Sequence, residues 1–492
     1  MKINYFKIDN WYILQDFEIT LDKDLAILIG ENGSGKSSLL EAIALIFGHL
    51  RKYFIEGDKK ASFIAGYVIS FDSTVVRNNK NYKYEVEIQS IDYQDDIDDS
   101  GVFNYRLKID REEFDLKQAN IKLKEIGGFA QLLPDEIVLY YSGNTNRLFE
   151  LSYYFEKKYR KQITKIDNQY TLKPLSFPKD IPFLYSSPDL LSMILLSLLI
   201  SSKESHQKFV SEYVGDVDLA NVTISINLKK PSWAHSGSNL FWGASESIIK
   251  EFLLHLDTYS DDKIYEKNKI TFTFHSVFPL IDLTKFIISV NEEQFLFKML
   301  RLLHYNELLG DIFIDWGNAL ENSNIELDRI SEGQKQILST IGLISLMEEN
   351  NCLILLDEPD TFLHPKWQIN FIKQINRSLS NQIILTTHSL NMLNHIDSNV
   401  SDLLLFSKGK IDLTVPKDNF GKTIAYINYN LMGIEERPRN IQDKIDELFK
   451  YLEEEDIDKA SDSYSYLLSI IGENDDDMRN AKIELDFLKT IN

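Results

Sequence analysis

The chain has 492 residues, 43% of them apolar, and its 75 acidic against 53 basic side chains leave a formal net charge of −22. Such a length exceeds what one hydrophobic core supports, so a main body with an inserted or appended lobe is expected; such a charge repels bare nucleic acid and leaves DNA contact to a partner or a local basic patch. A single cysteine, Cys352, rules out an internal disulfide framework and fits a cytoplasmic setting, while no apolar leader opens the chain and no apolar run reaches the ~18–20 residues of a membrane helix.

Residues 1–29 read as short strands, with Ile3, Phe6, Ile8, Trp11, Phe17 and Ile19 set among polar positions. The apolar run Leu25 to Ile29 then leads into Gly30-Glu31-Asn32-Gly33-Ser34-Gly35-Lys36-Ser37, which fits G-x-x-x-x-G-K-[ST], and a helical pattern continues through Ser38 to Phe47. Glycines at 30, 33 and 35 let backbone N–H groups turn inward onto phosphate oxygens, at the partly positive start of a helix. Lys36 is expected to reach the β- and γ-phosphates of ATP, and the Ser37 hydroxyl to ligate Mg2+.

Between 62 and 110 the alternating runs Tyr67 to Phe71 and Tyr84 to Ile88 predict antiparallel strands flanking the nucleotide. A strand over Ile137 to Tyr141 precedes a polar loop ending at Arg147, which either contacts phosphate or lies in solvent. From 147 to about 320 the pattern is largely helical, with Leu190 to Ile200 as a buried helix and a break at Pro231-Ser232-Trp233. Lys157, Lys158, Tyr159, Arg160 and Lys161, with Lys165, form the best basic patch in the chain, although a solvated loop explains it as well.

Ser331 in Ile330-Ser331-Glu332-Gly333-Gln334 is a good helix N-cap. The apolar run Leu353 to Leu356 predicts a buried parallel strand with Asp357 at its C-terminal end, where ligands of open α/β sheets bind, so Asp357 is assigned to the Mg2+ and Glu358 to the attacking water as its base. A second such strand, Gln382 to Thr386, leads to His388, within reach of a γ-phosphate. After a short strand at Lys410 to Val415, three amphipathic helices follow: Ile441, Ile445, Leu448 and Leu452 share one face, Ile457, Ala460, Tyr464, Leu467 and Ile471 a second, and Met478, Ala481, Leu485 and Leu488 a third. Acidic runs join them, and this tail reads equally as a small bundle or as a platform for a partner protein.

Taken in order, these segments resemble the ATP-binding-cassette ATPase superfamily, over about residues 1–50 and 325–410. The resemblance implies an α/β fold: a P-loop sheet with an antiparallel β-subdomain, a mainly helical inserted lobe and a C-terminal helical tail. The corresponding boundaries are 1–146 and 325–420 for the two parts of the head, 147–324 for the lobe and 421–492 for the acidic tail. It also implies that Ser331, Gly333 and Gln334 of one subunit complete the phosphate site of another, in head-to-tail dimers with Asp360 at the contact. Glu332 replaces a glycine of the family's signature, and its charge is unfavourable there unless the side chain turns away. No sustained heptads fill the gap between Lys36 and Ser331, so a compact lobe is expected instead of a coiled-coil arm.

The compact insertion and the phrases Tyr185 to Pro188, Lys229 to Trp233 and Asp357 to Trp367 are similar to the ATPase subunits of Septu-type anti-phage systems, whose relatives also occur beside retrons. That resemblance implies a slowly hydrolysing ATPase that oligomerises and controls a separate HNH-type nuclease subunit. A RecF- or SMC-like repair ATPase is the alternative, and would call for a basic DNA surface or a coiled coil. A nuclease domain within the chain is not expected, since the segment after His388 is short and the 9 histidines form no HNH cluster.

Overall fold

The computed structural model describes residues 1–58, 64, 66–77, 80–91, 104–114, 116–142, 147–164, 182–234, 240–244, 248–285, 291–318, 324–327, 330–377, 379–412, 419–433 and 437–491. They form two compact units, 1–420 and 421–492. Among the described residues no helix is long and apolar enough to cross a membrane.

A seven-stranded sheet organises the first unit. Its strands run in the order Lys410–Asp412, Ser401–Ser407, Leu25–Gly30, Gln382–Thr386, Cys352–Asp357, Glu136–Tyr141 and Phe183–Tyr185, all parallel except the first pair. The strands LAILIG, CLILLD and QIILT are buried at every position, the pattern of strands covered on both faces. Register matters more than order here. Asp357 pairs with Thr386, Thr386 with Leu28, and Gly30 with Phe406, so the phosphate loop and both strand-end polar groups leave the sheet at one edge.

The expected β-subdomain is a six-stranded antiparallel sheet ordered Leu14–Thr20, Lys2–Trp11, Tyr67–Arg77, Lys80–Ile91, Asn104–Ile109 and Glu112–Phe114. Helix Lys36–Phe54, which follows the phosphate loop, shares one apolar core with this sheet, and Phe47 meets Phe71 with ring centroids 5.7 Å apart.

The inserted segment holds more than its helices. Strands Asp262–Tyr265, Lys269–Phe274, Val217–Lys229, Leu309–Asn318 and Asn324–Glu326 make a five-stranded antiparallel sheet in that order. Its signal is a period of two: Val222, Ile224, Ile226 and Leu228 are all 0% exposed. Helix Leu191–Leu199 is buried along nearly its whole length, as its composition requires.

The second unit buries Ile445, Leu448, Leu452, Ala460, Leu467, Met478, Ala481 and Leu485 together. They come from helices Arg439–Glu453, Ile457–Ile471 and Asp476–Ile491, the three that the spacing predicts.

One buried ion pair ties the inserted segment to the main sheet. Arg301 Nη2, on helix Glu292–Tyr305, donates to Glu136 Oε1 at 2.5 Å, and its Nε and Nη2 also reach Tyr305 Oη at 3.2 and 3.1 Å. Both partners are nearly out of water, their side chains 6% and 10% exposed, so removing one strands a charge. Arg301→Met is expected to lower unfolding free energy by roughly 3–5 kcal/mol in urea titrations, whereas the double change with Glu136→Gln recovers most of it. Equal losses in the single and double variants would show that the Glu136 charge is not stranded when Arg301 is removed.

Candidate functional site

The phosphate loop is shaped by contacts that only glycine permits at two positions. Gly30 has φ 142°, and a Cβ there would lie 2.2 Å from the Phe406 carbonyl oxygen; Gly35 has φ 112°, with Leu14 and Ile13 at 2.9 and 3.0 Å from such an atom. Glu31, Asn32 and Gly33 form the exposed crest of the loop, and Ser34 is buried behind it. Lys36 is 4% exposed and turns back along the loop, its Nζ donating to the carbonyls of Gly30 at 2.9 Å and Glu31 at 3.0 Å. Burial lowers its pKa, with Glu358 and Asp357 opposing the shift.

Across the sheet edge, Asp357 Oδ1 accepts from Ser37 Oγ at 3.0 Å and from Thr386 Oγ1 at 2.6 Å. Burial raises the Asp357 pKa, and those two hydroxyls pull it back. A buried carboxylate touching the hydroxyl beside the phosphate loop fits a divalent cation held by Ser37 and Asp357, because a cation offsets its lost hydration. The loop fits the phosphates themselves: Lys36 is already aimed along the crest that they would occupy.

Glu358 takes φ 49°, an uncommon backbone state for a side-chain-bearing residue, and its N–H donates to Thr386 Oγ1 at 2.9 Å. His388 Nε2 lies 3.1 Å from Glu358 Oε1. Burial and then Lys36 lower the His388 pKa, against the pull of Glu358, which favours a neutral imidazole near pH 7. Thr386 thus bridges the two carboxylate residues, a role that sequence reasoning missed. Its signal was present in the hydroxyls of Thr386 and Thr387 at the end of a buried strand.

Asp360 departs from expectation. The resemblance puts it at a subunit contact, yet it is 4% exposed and its Oδ2 accepts from Thr387 Oγ1 at 2.8 Å. It holds the segment before His388 from inside, while Thr361, Phe362 and His364 are the exposed residues of that loop.

The signature residues lie apart in their bonding. Ser331 caps helix Glu332–Leu346 in a reciprocal capping box with Gln334, and Gly333 is open enough that an added Cβ would meet only Leu363, at 3.7 Å. Ser331 and Gln334 bond to one another, and Gln334 to Tyr213, instead of to the phosphate loop of their own chain. Glu332 has an 84% exposed side chain and pairs with Lys335 at 3.0 Å. Ser38 is half-buried in the first turn of helix Lys36–Phe54. In the basic patch, Lys157 is exposed and Lys158 pairs with Glu56 at 2.5 Å. The side chains of Arg147, Tyr159, Arg160 and Lys161, the loop 143–146 and Lys165 lie outside the described residues.

Burial pushes the Asp360 carboxyl up from 3.8 to about 6, against the Thr387 bond. The folded state therefore holds this proton more tightly than the unfolded chain, and the residue costs stability progressively as pH rises between those two values, on the order of 3 kcal/mol in all. Asp360→Asn removes that slope. Its urea midpoint is expected to match the wild type near pH 4 and exceed it at pH 7.5; a midpoint below wild type at both would refute the assigned burial cost.

A profile of the AAA ATPase domain family matches residues 1–393. Over 438 residues the chain is 23% identical to the retron Vc95 probable ATPase of Vibrio cholerae serotype O1 biovar El Tor, covering 82% of this chain and 73% of that one. It is 24% identical over 239 residues to Septu protein PtuA of Bacillus mycoides (strain KBAB4), covering 42% and 34% of the two chains. With the retron Ec83 probable ATPase of Escherichia coli it shares 30% identity over 140 residues, covering 26% and 24%. The matches to these last two relatives thus span 34% and 24% of their lengths. Since the matched span 1–393 takes in the phosphate loop, the strand-end carboxylates, the capped signature helix and His388, the chain belongs to the AAA ATPase domain family.

Proposed function

We propose that this chain is the ATP-binding, slowly hydrolysing switch of a cytoplasmic anti-phage defence complex, and that it controls a separate HNH-type nuclease subunit. The observation that carries the ATPase part is the meeting of Ser37, Asp357, Thr386, Glu358 and His388 at one sheet edge beside Lys36. The defence part is supported by likeness to proteins named for Septu and for retrons.

In this reading Lys36 leaves the Gly30 and Glu31 carbonyls for the phosphates of ATP. Ser37 and Asp357 would hold Mg2+, which would supply charge neutralisation at the phosphates. Glu358 accepts the proton of the attacking water, and His388, neutral, turns its single N–H to the γ-phosphate. Glycines 30, 33 and 35 with Glu31, Asn32, Ser34 and Ser38 line the phosphate path. Ser331, Gly333 and Gln334 serve the nucleotide of a second copy packed head to tail, and the turned-out Glu332 keeps its charge off that phosphate. Loss of the γ-phosphate then loosens the pair, and the lobe or tail passes this change to the nuclease.

Glu358→Gln is expected to lower turnover by ~10²–10⁴-fold while Mg-ATP binding persists, so that a dimer accumulates in light scattering with Mg-ATP. Wild-type turnover in that variant would sink the assigned base. Lys36→Ala should lose Mg-ATP binding in calorimetry; retained affinity would reject the phosphate-loop assignment. Native mass of the protein co-expressed with its genomic neighbours tests the partner: an HNH-type subunit supports the defence reading, and recruitment of DNA alone turns it toward a repair-like ATPase.

A further inference from the structure

Both polar ends of the signature glutamine are engaged inside the subunit. Gln334 Oε1 accepts from Ser331 N at 2.9 Å and from Ser331 Oγ at 2.7 Å, while Nε2 donates to the Tyr213 carbonyl at 2.8 Å. Tyr213 is the penultimate residue of helix Glu204–Val214, in the inserted segment, and the chain then turns at Gly215 with φ 91°. The last carbonyls of a helix have no partner within it, so the amide of Gln334 satisfies one of them.

That helix end is held by the ATPase elements from other sides too. The Tyr213 ring lies 5.2 Å from the Trp367 ring, and Glu212 Oε2 accepts from Gln374 Nε2 at 3.1 Å; both partners sit on helix Pro365–Arg377, directly after the Asp360 loop. Gly342 brings the signature helix close, since a Cβ there would lie 2.8 Å from Ile194 Cγ2 and 3.6 Å from Phe209 Cε1. Elsewhere on the helix, the exposed Gln207 and Lys208, with Ser211, line a solvent-open surface pocket of about 250 Å³ together with Leu198, Leu199 and Leu219. Helix Glu204–Val214 is therefore gripped by the signature at its C-terminal end and faces a solvent-open groove along its outer side, where no packed neighbour opposes a shift.

We propose that Gln334 is a positioning residue that carries the position of helix Glu204–Val214 to Ser331, through which the inserted segment sets the rate of ATP hydrolysis. The Ser331 hydroxyl spends its proton on Gln334 Oε1, so it can donate to a phosphate only when that oxygen withdraws. Movement of the Tyr213 carbonyl draws Nε2 with it and rotates Oε1 away from the serine. The last step, from Ser331 to a phosphate, rests on the head-to-tail reading above; the link from helix to serine does not.

Gln334→Glu separates the two ends. A carboxylate preserves the acceptor of the capping box but cannot donate to the Tyr213 carbonyl, whereas Gln334→Ala loses both. In the full chain, Gln334→Glu is expected to lower kcat about tenfold, the scale of one lost hydrogen bond, and to speed amide exchange across residues 204–214. Unchanged exchange there, or wild-type kcat, overturns the proposal. If Ser331→Ala leaves kcat unchanged while Gln334→Glu still speeds exchange across 204–214, the head-to-tail reading has failed and the helix-to-signature link stands.

Discussion

A carboxylate taken out of water at the end of a buried strand is the constraint around which this ATPase is arranged. Asp357 is 3% exposed, and the strand before it offers no polar group to relieve it, so relief comes from neighbouring elements: Ser37 beside the phosphate loop and Thr386 on the next strand. Those two hydroxyls reach it only because the parallel register sets Thr386 opposite Asp357 and the phosphate-loop strand next in line. A one-residue slip would turn Asp357 to the other face of the sheet and break both bonds. The cost of burying the charge is what a cation bound there would offset.

Around that centre the hydroxyls form two parallel devices. Thr386 serves Asp357 and the backbone of Glu358, while Thr387 serves Asp360. Each threonine of the pair thus fixes a different turn of the Asp357 to Asp360 segment, and the left-handed backbone of Glu358 between them is held by bonds on either side. The helix and strand packing sets where these turns begin. The hydroxyls set where they end.

Local patterns made much of this legible beforehand. The phosphate loop, the strand-end Asp357 and Glu358, and the capped signature helix are short motifs whose chemistry follows from residue type and spacing, and the tail helices follow from apolar period alone. What escaped was decided by pairing across the chain. Thr386 looks like one more strand residue until register places it beside Asp357. Asp360, a loop aspartate by sequence, is buried where Thr387, 27 residues on and just past the strand Gln382–Thr386, reaches it. The five-stranded sheet of the insertion alternates visibly at Val222 to Leu228, but helical stretches on either side masked it. Glu332, a charge without an evident partner in the motif alone, pairs with Lys335 one turn later.

The signature helix shows why the insertion and the ATPase core are parts of one device. Its first turn is capped by Ser331, its second residue pair is bound to the insertion through Tyr213, and its middle admits the insertion's helices at Gly342. Gln336, one turn into the same helix, donates to the Pro359 carbonyl at 2.5 Å and to Tyr140 Oη at 2.9 Å, which ties it to the loop after Glu358 and to the strand beside Asp357. Gln334 and Gln336 therefore face different masters, one in the insertion and one at the carboxylates. Both glutamines lie near the start of one helix, so the bond to the insertion at Tyr213 and the bond to the Pro359 turn bear on the same short stretch, immediately beside the residue assigned to the attacking water.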